Sequence, residues 1–325
     1  MLSNGDSNLQ NFGLPILKNI QDFSDNLHLS KGLIYNLSKY NHHYYREFKL
    51  PKRQGGYRYI YSPSKEMKAV QAWILRNILD NINISECATG FVKGKSVLDN
   101  AKKHEGNRYF LCLDIEEFFP SIKYSHIYTV FHTFGYNKHV SHILSSLCST
   151  KGILPQGAVT SPALSNIVCT KIDKRISGYA GKHNIVYSRY ADDMAFSALT
   201  HKWLTNVYRI VREIVVDEGF SLNEKKTRFL GPLKQRKVTG IVISDDSMGI
   251  GRKKKREIRA AIHKLINEYT QEGNGGYSDV EREKLKLHIK GWLAYIHHID
   301  SVGHRQLVSY TSNLSGRYGV INPLA

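Results

Sequence analysis

The sequence predicts a mixed α+β fold, an antiparallel sheet with helices packed on one face. Three patterns carry this expectation. Tyr109 to Ile115 (YFLCLDI) is a short apolar run ending in an acid, which predicts a buried strand. Val186 to Tyr190 and Met194 to Ala198 are β-prone runs flanking Ala191, Asp192 and Asp193, which predicts a hairpin with its acids in the turn. Trp203 to Asp217 places Leu204, Val207, Ile210, Val211, Ile214 and Val215 at the spacing of an amphipathic helix.

The remaining elements follow in order. Helical patterns dominate the N-terminal region, and Ser64 followed by Met67, Val70, Trp73, Ile74 and Ile78 has a helix start signal and 3–4 spacing. Ser125 to Phe134 predicts a helix after a break at Pro120. Val238 to Ile243 predicts another short strand. Two amphipathic helices are expected at Lys253 to Tyr269 and Val280 to Ile299, on either side of a flexible linker, Glu272 to Ser278 (EGNGGYS). They are expected to form a small unit of their own.

Composition sets the function classes. With 325 residues, 41% of them hydrophobic, the chain can bury a sizeable core and is not disordered. It contains no apolar run long enough to span a bilayer. Met1 to Asn11 is polar and unlike a secretory signal. Four dispersed cysteines (Cys87, Cys112, Cys148, Cys169) indicate neither a disulfide framework nor a zinc knuckle, so a cytoplasmic protein with reduced thiols is expected. His139 and His142 near Cys148 read as an incidental grouping. The charge points outward to a partner. Forty-six Lys and Arg against 28 Asp and Glu leave +18, a footprint that fits nucleic acid or an anionic membrane surface. The cations recur at Lys49 to Arg58, Lys93 to Lys103, Lys225 to Arg228, Lys234 to Lys237 and Arg252 to Arg259. Each run alone reads as a solvated face, but their spread favours a groove that tracks a phosphate backbone.

Three carboxylates, Asp114, Asp192 and Asp193, stand at predicted strand ends. Adjacent aspartates repel unless a cation neutralises them. Hard divalent ions take oxygen ligands, and two of them about 4 Å apart would suit in-line phosphoryl transfer. Taken alone, paired acids in a turn are also ordinary turn chemistry.

Their surroundings decide between these readings. Arg189–Tyr190–Ala191–Asp192–Asp193 resembles the YxDD box of reverse transcriptases, and Leu111 to Phe119 (LCLDIEEFF) resembles their first metal-binding motif. Leu154–Pro155–Gln156–Gly157, continuing to Ser161–Pro162, resembles their template- and nucleotide-contacting motif. Gly219 to Thr227 (GFSLNEKKT) and Arg58 to Tyr61 with Pro63, Lys68 and Gln71 match two further blocks, all in the family order. Asn100–Ala101–Lys102–Lys103–His104 fits NAxxH and Val238–Thr239–Gly240 fits VTG, both marks of bacterial retron reverse transcriptases. No maturase or endonuclease extension is expected after the thumb-like helices. The chain thus resembles a retron reverse transcriptase over nearly its whole length.

The resemblance implies a right-hand polymerase: N-terminal helices and fingers over 1–108, a palm over 109–243 with a fingers insertion around 124–153, and a thumb with RNA-recognition helices over 244–325. It implies that Asp114, Asp192 and Asp193, with the Ile115 carbonyl, hold two Mg²⁺ ions. Phe119 takes the aromatic position that excludes a 2′-hydroxyl, although ordinary core packing is its competing reading. Arg58 and Gln156, with Lys52 or Arg53 as lesser candidates, would contact the incoming triphosphate. Lys226 would donate a proton to the leaving pyrophosphate or contact phosphate. Tyr190, Asn100, His104, Val238, Thr239 and Gly240 are expected along the nucleic acid, with a structural hydrogen bond as the alternative for His104. Arg252, Lys253, Lys254, Lys255, Arg256 and Arg259 are expected to grip RNA, and Trp292, Tyr295, Tyr310 and Tyr318 are candidates for base stacking or core packing.

The implied partners are a cognate noncoding RNA (msr–msd), its branched DNA product (msDNA), dNTPs and an effector or toxin of an anti-phage system, with no membrane. Another bacterial reverse transcriptase, intron-encoded or diversity-generating, is the alternative within enzymes. A catalytically silent RNA-binding scaffold and a membrane-surface protein are the alternatives outside it.

Overall fold

The computed structural model describes residues 4–52, 55–245, 247–270 and 276–324. Three helices open the chain: α1 (Asn4–Asn11), α2 (Ile20–Leu27) and α3 (Lys31–Lys39). An antiparallel ribbon follows, β1 (Tyr45–Pro51) against β2 (Tyr57–Pro63), then α4 (Lys65–Asn77), α5 (Val97–Lys102) and β3 (Tyr109–Asp114). Ser64 caps α4 by accepting from the Met67 amide, and Ser96 caps α5 in a reciprocal box with Asp99. Next come α6 (Phe118–Ser121), α7 (Tyr124–Phe134), α8 (Lys138–Cys148), α9 (Ser161–Val168), α10 (Thr170–Lys182), β4 (Val186–Tyr190), β5 (Asp193–Ala198), α11 (Leu204–Asp217) and β6 (Arg228–Leu230). Short strands β7 (Lys237–Val238), β8 (Ile241–Ile243) and β9 (Met248–Gly249) precede α12 (Gly251–Thr270), α13 (Asp279–Ile299) and α14 (Ser301–Tyr318).

The central sheet runs β4-β5-β3-β6, all antiparallel. Successive side chains of a strand face opposite sides. Leu111, Leu113, Met194 and Phe196 enter the main core with Phe23, Ile34, Met67, Ile74 and Phe131 from the surrounding helices. Phe110 and Ala195, one position out of phase, enter a second core with Leu98, Ile241, Ile258, Ile262, Ile289, Ile296 and Leu307. The sheet is therefore covered on both faces, not on one, and the C-terminal helices are not separate from it. They pack across its second face through β7, β8 and α5.

Two further differences from the sequence reading are local. Val238 to Ile243 is not one strand: Val238 pairs with Ile241 across a two-residue turn, Thr239 (φ 45) and Gly240 (φ 92), the positive-φ geometry that matches hairpin twist. A third C-terminal helix, α14, follows α13 almost at once, capped by Asp300, whose carboxylate accepts from the Gly303 amide. Its apolar positions are sparse, and polar Thr311 and Ser315 are buried among them, which hides its period. Of the expected linker, residues 272–275 lie outside the described residues, as does Arg53. Among the described residues no helix is long and apolar enough to cross a membrane.

Candidate active site

The site is built where β3 and β5 end together. Asp114, the last residue of β3, stands directly opposite Asp193, the first of β5, and Asp192 precedes it in the two-residue turn from β4. The acids are thus not all in the turn, since Asp193 belongs to the ladder. Cross-strand neighbours on one pair lie about 5 Å apart, so the register alone brings the carboxylates together. The Ile115 amide donates to the Asp192 carbonyl at 3.0 Å, tying the two strand ends. A bridge to Leu222 follows, with the Asn223 amide donating to the Asp114 carbonyl and the Glu116 amide to that of Ser221. These bonds use the neighbours of Ile115 and leave its own carbonyl outside the ladder.

The carboxylates strain against one another. Burial pushes the Asp192 carboxyl up to about 6, with Asp193 and then Asp114 adding repulsion. Asp193 is raised as well, by burial and then by Asp114. Lys226, in the turn after Asn223, donates from Nζ to both Asp114 oxygens at 2.9 and 2.8 Å. Partial burial works against its charge, but Asp114 holds its pKa above the usual lysine range. An all-oxygen set of three mutually repelling carboxylates fits hard divalent ions in chemistry. The side chains are not closed into a cage: among the described residues no three His, Cys, Asp or Glu groups are arranged to hold a metal, and both Asp114 oxygens face Lys226.

The acid turn is fastened from beneath by residues to which motif reading gave no role. Ala191 is buried with φ 56, and its carbonyl accepts from Arg189 Nη1 at 3.2 Å. Arg189 is itself wholly buried and binds Asp173 of α10 with two bonds, at 2.8 and 2.7 Å. Tyr187 donates to the same carboxylate, and Asn166 of α9 accepts from Arg189 Nη1 at 3.1 Å. Such a pair is costly to bury and costlier to break. An arginine inside a β-prone run expected to be buried was the signal for it, since a buried cation needs a partner.

Around this centre, Phe119, the second residue of α6, is half-buried, its ring 5.4 Å from that of Phe118 and 6.1 Å from that of Phe91. Tyr190 is half-buried at the end of β4. Arg58 is exposed on β2. The loop carrying Gln156 docks on the same strand, with the Tyr61 amide donating to the Gln156 carbonyl at 2.8 Å. Gly157 (φ 120) makes this approach possible, because a Cβ there would lie 2.8 Å from the Tyr61 carbonyl oxygen. Lys52 is in a surface ion pair with Glu117 at 2.8 Å.

Several expected nucleic-acid contacts are corrected by burial. Asn100 and His104 are both 0% exposed. His104 bonds Ser188 and Ser197 at 2.7 Å each, and burial, with Lys103 adding repulsion, pushes its pKa down to about 3. Asn100 accepts from Thr89 Oγ1 at 2.7 Å and donates to Thr239 Oγ1 at 3.4 Å, joining the NAxxH and VTG segments to each other. Both residues are structural hydrogen-bond centres, and Val238, also buried, packs in the second core. At the hairpin tip Thr239 is half-buried, its hydroxyl engaged by Asn100 and the Val97 carbonyl, and Gly240 is exposed. On α12, Lys255 pairs with Asp300 at 2.7 Å, and Lys254 pairs with Glu257 and covers the Trp292 ring at 4.3 Å. Arg259 covers Tyr310 at 4.4 Å, while Arg252, Lys253 and Arg256 are exposed. Trp292, Tyr295 and Tyr310 pack against the second core, and Tyr318 is exposed.

Comparison with known proteins agrees with this geometry. Residues 50–243 match the family described as reverse transcriptase (RNA-dependent DNA polymerase). The chain is 42% identical over 320 residues to the retron Ec86 reverse transcriptase of Escherichia coli, covering 97% of this chain and 95% of that protein. It is 31% identical over 313 residues to the retron Mx65 reverse transcriptase of Myxococcus xanthus, covering 90% and 70%. Among solved structures, telomerase from Candida albicans superimposes with a TM-score of 0.50 at 12% identity, covering 84% of this chain and 63% of that one, a likeness of fold.

Proposed function

The chain belongs to the reverse transcriptase family as a retron enzyme, an RNA-directed DNA polymerase of right-hand fold, and from that premise we propose how it works and on what. Its substrates are dNTPs and a cognate structured noncoding RNA. It reverse transcribes part of that RNA from a guanosine 2′-hydroxyl, leaving a branched RNA–DNA hybrid within an anti-phage system that includes an effector protein. Residues 1–108 serve as N-terminal helices and fingers, 109–243 as palm and 244–325 as thumb. The observation that carries the reading is the register that sets Asp114 opposite Asp193, with Asp192 beside them.

Enzymes of this family use divalent metal ions. Here Asp114, Asp192 and Asp193, with the Ile115 carbonyl, would hold two Mg²⁺. A bound pair supplies activation of the attacking hydroxyl and stabilisation of the leaving oxygen. The chain's own groups do the rest. Arg58 and Gln156 bind and orient the triphosphate. Phe119 excludes the 2′-hydroxyl of a ribonucleotide. Lys226 keeps a proton at Nζ beside Asp114, in place to neutralise the departing pyrophosphate. The Thr239–Gly240 turn and Tyr190 lie along the primer strand, and Arg252, Lys253 and Arg256 take RNA phosphates.

Incubating the protein with the noncoding RNA encoded beside it, dNTPs and Mg²⁺ tests this. The expected product is DNA joined to RNA by a 2′,5′ linkage, absent with Asp193→Asn. Synthesis only from 3′-hydroxyl ends would favour the intron or diversity-generating alternative. RNA binding without synthesis by the unaltered chain would leave a scaffold.

A further inference from the structure

Beside the acid turn stands an aromatic side chain to which no motif assigns a role. Phe91 is 46% exposed and has φ 60, a left-handed conformation that is uncommon and costly for a bulky residue. Single exposed apolar side chains are common on proteins. This one is distinguished by how the chain is fastened up to it. Ala88 bridges Arg189, and the Thr89 amide donates to the Arg189 carbonyl at 2.8 Å. Gly90 lies so close to the turn that a Cβ there would come within 2.7 Å of the Ala191 nitrogen, and its carbonyl accepts from buried Asn166 at 2.8 Å. The backbone is thus anchored to the turn that carries Asp192 and Asp193, and the next residue turns its ring outward. That ring lies 6.1 Å from Phe119 and 6.4 Å from Tyr190, so three aromatics form one surface alongside the acids.

We infer that Phe91 packs against the sugar edge of the base pair at the primer end of an RNA–DNA hybrid and aligns that end with the carboxylates. The inference rests on the polymerase reading above. A residue that excludes a 2′-hydroxyl stands on the minor-groove side, where 2′-hydroxyls are displayed. Phe91 continues that surface from Phe119 toward Tyr190. Stacked nucleotides rise about 3.4 Å per step. A ring 6.1 Å from the gate, less than two such steps away, is within reach of the pair behind the incoming nucleotide, the pair just made. A matched end presents a regular sugar edge to this flat apolar face. A mispaired end displaces that edge and forfeits the contact, so the ring favours extension of correct ends.

Single-nucleotide extension of a DNA primer on an RNA template, from matched and from mismatched ends, tests this with the full-length chain. Phe91→Ala is expected to slow matched extension about tenfold, the scale of losing one base–aromatic contact, with mismatched extension unchanged. The ratio of the two rates then falls about tenfold. Phe91→Gly, which suits the left-handed backbone, should lose the same ratio at an equal or higher melting temperature, excluding a folding defect. Phe91→Tyr, which keeps the ring, should retain it. An equal fall in both rates, or a ratio within about twofold of the unaltered protein in the Ala and Gly variants, overturns the inference. Failure of the unaltered chain to extend even a matched primer would instead refute the polymerase reading itself, and this inference with it.

Discussion

Replacing Asp192 with Asn should stabilise the metal-free protein at pH 8 while abolishing DNA synthesis. The Asp192 carboxyl sits at about 6 against an ordinary 3.8, because burial and the nearby Asp193 and Asp114 disfavour its charge. The folded state therefore keeps a proton that the unfolded chain has released, so stability falls as pH rises from about 4 to 6 and is level above that. The penalty at pH 8 is at most about 3 kcal/mol, since each tenfold change in equilibrium is worth 1.36 kcal/mol. Asp192 is partly open to solvent, which reduces this to about 1–2 kcal/mol. For a chain of 325 residues, with about 2.1 cal/mol/K of unfolding entropy per residue, that is a rise in melting temperature of about 1.5–3 °C. Thermal melts in EDTA at pH 8 and pH 5 check it. The gain should fall to about half at pH 5, midway between the unfolded and folded pKa values, and vanish only below about pH 4, where both states are protonated. Adding Mg²⁺ should raise the melting temperature of the unaltered protein more than that of the variant, because binding to the folded state adds stability. A variant less stable than the parent at pH 8, or a gain independent of pH, would refute the claim that these acids repel one another in the fold.

Three further outcomes are expected. Phe119→Ala should admit ribonucleotides in primer extension; undiminished selectivity for dNTPs would return Phe119 to plain core packing. Replacing Arg252, Lys253 and Arg256 together with Ala should weaken RNA binding and flatten its log–log salt slope by about 2, since each phosphate contact contributes about 0.7–0.9. Asp173→Asn should lower stability by about 3–5 kcal/mol in denaturant titrations by stranding Arg189. Joint replacement, Asp173→Leu with Arg189→Met, should recover stability but not extension activity, because Ala191 still lacks the bond that holds the turn.

Much of the site was legible because it is local. Tyr109 to Asp114 is an apolar strand whatever surrounds it, and the two runs flanking Ala191–Asp193 can only fold back on each other. Burial was not legible in the same way. Asn100 and His104 are polar residues in a short polar-rich segment, and nothing in their spacing reveals that Thr89, Thr239, Ser188 and Ser197 will enclose them. Helix α14 was missed for a related reason. Its apolar positions alternate with buried Thr311 and Ser315, so it lacks the stripe by which an amphipathic helix is read.

Residue order alone thus indicated which acids meet and at which strand ends, in a chain whose surplus of cations calls for a polyanion. Folding decided which groups are free to act. Among the basic residues of α12, Lys255 is held by Asp300 and Lys254 by Glu257 and Trp292, while Arg252, Lys253 and Arg256 stay exposed, and five similar cations in a row carry no mark of that division. The reason is that the decisive partners here, Asp300 for Lys255 and the Trp292 ring for Lys254, stand tens of residues away along the chain. Their distance is set by packing of the whole core, whereas strand and turn preferences are set by neighbours along the chain.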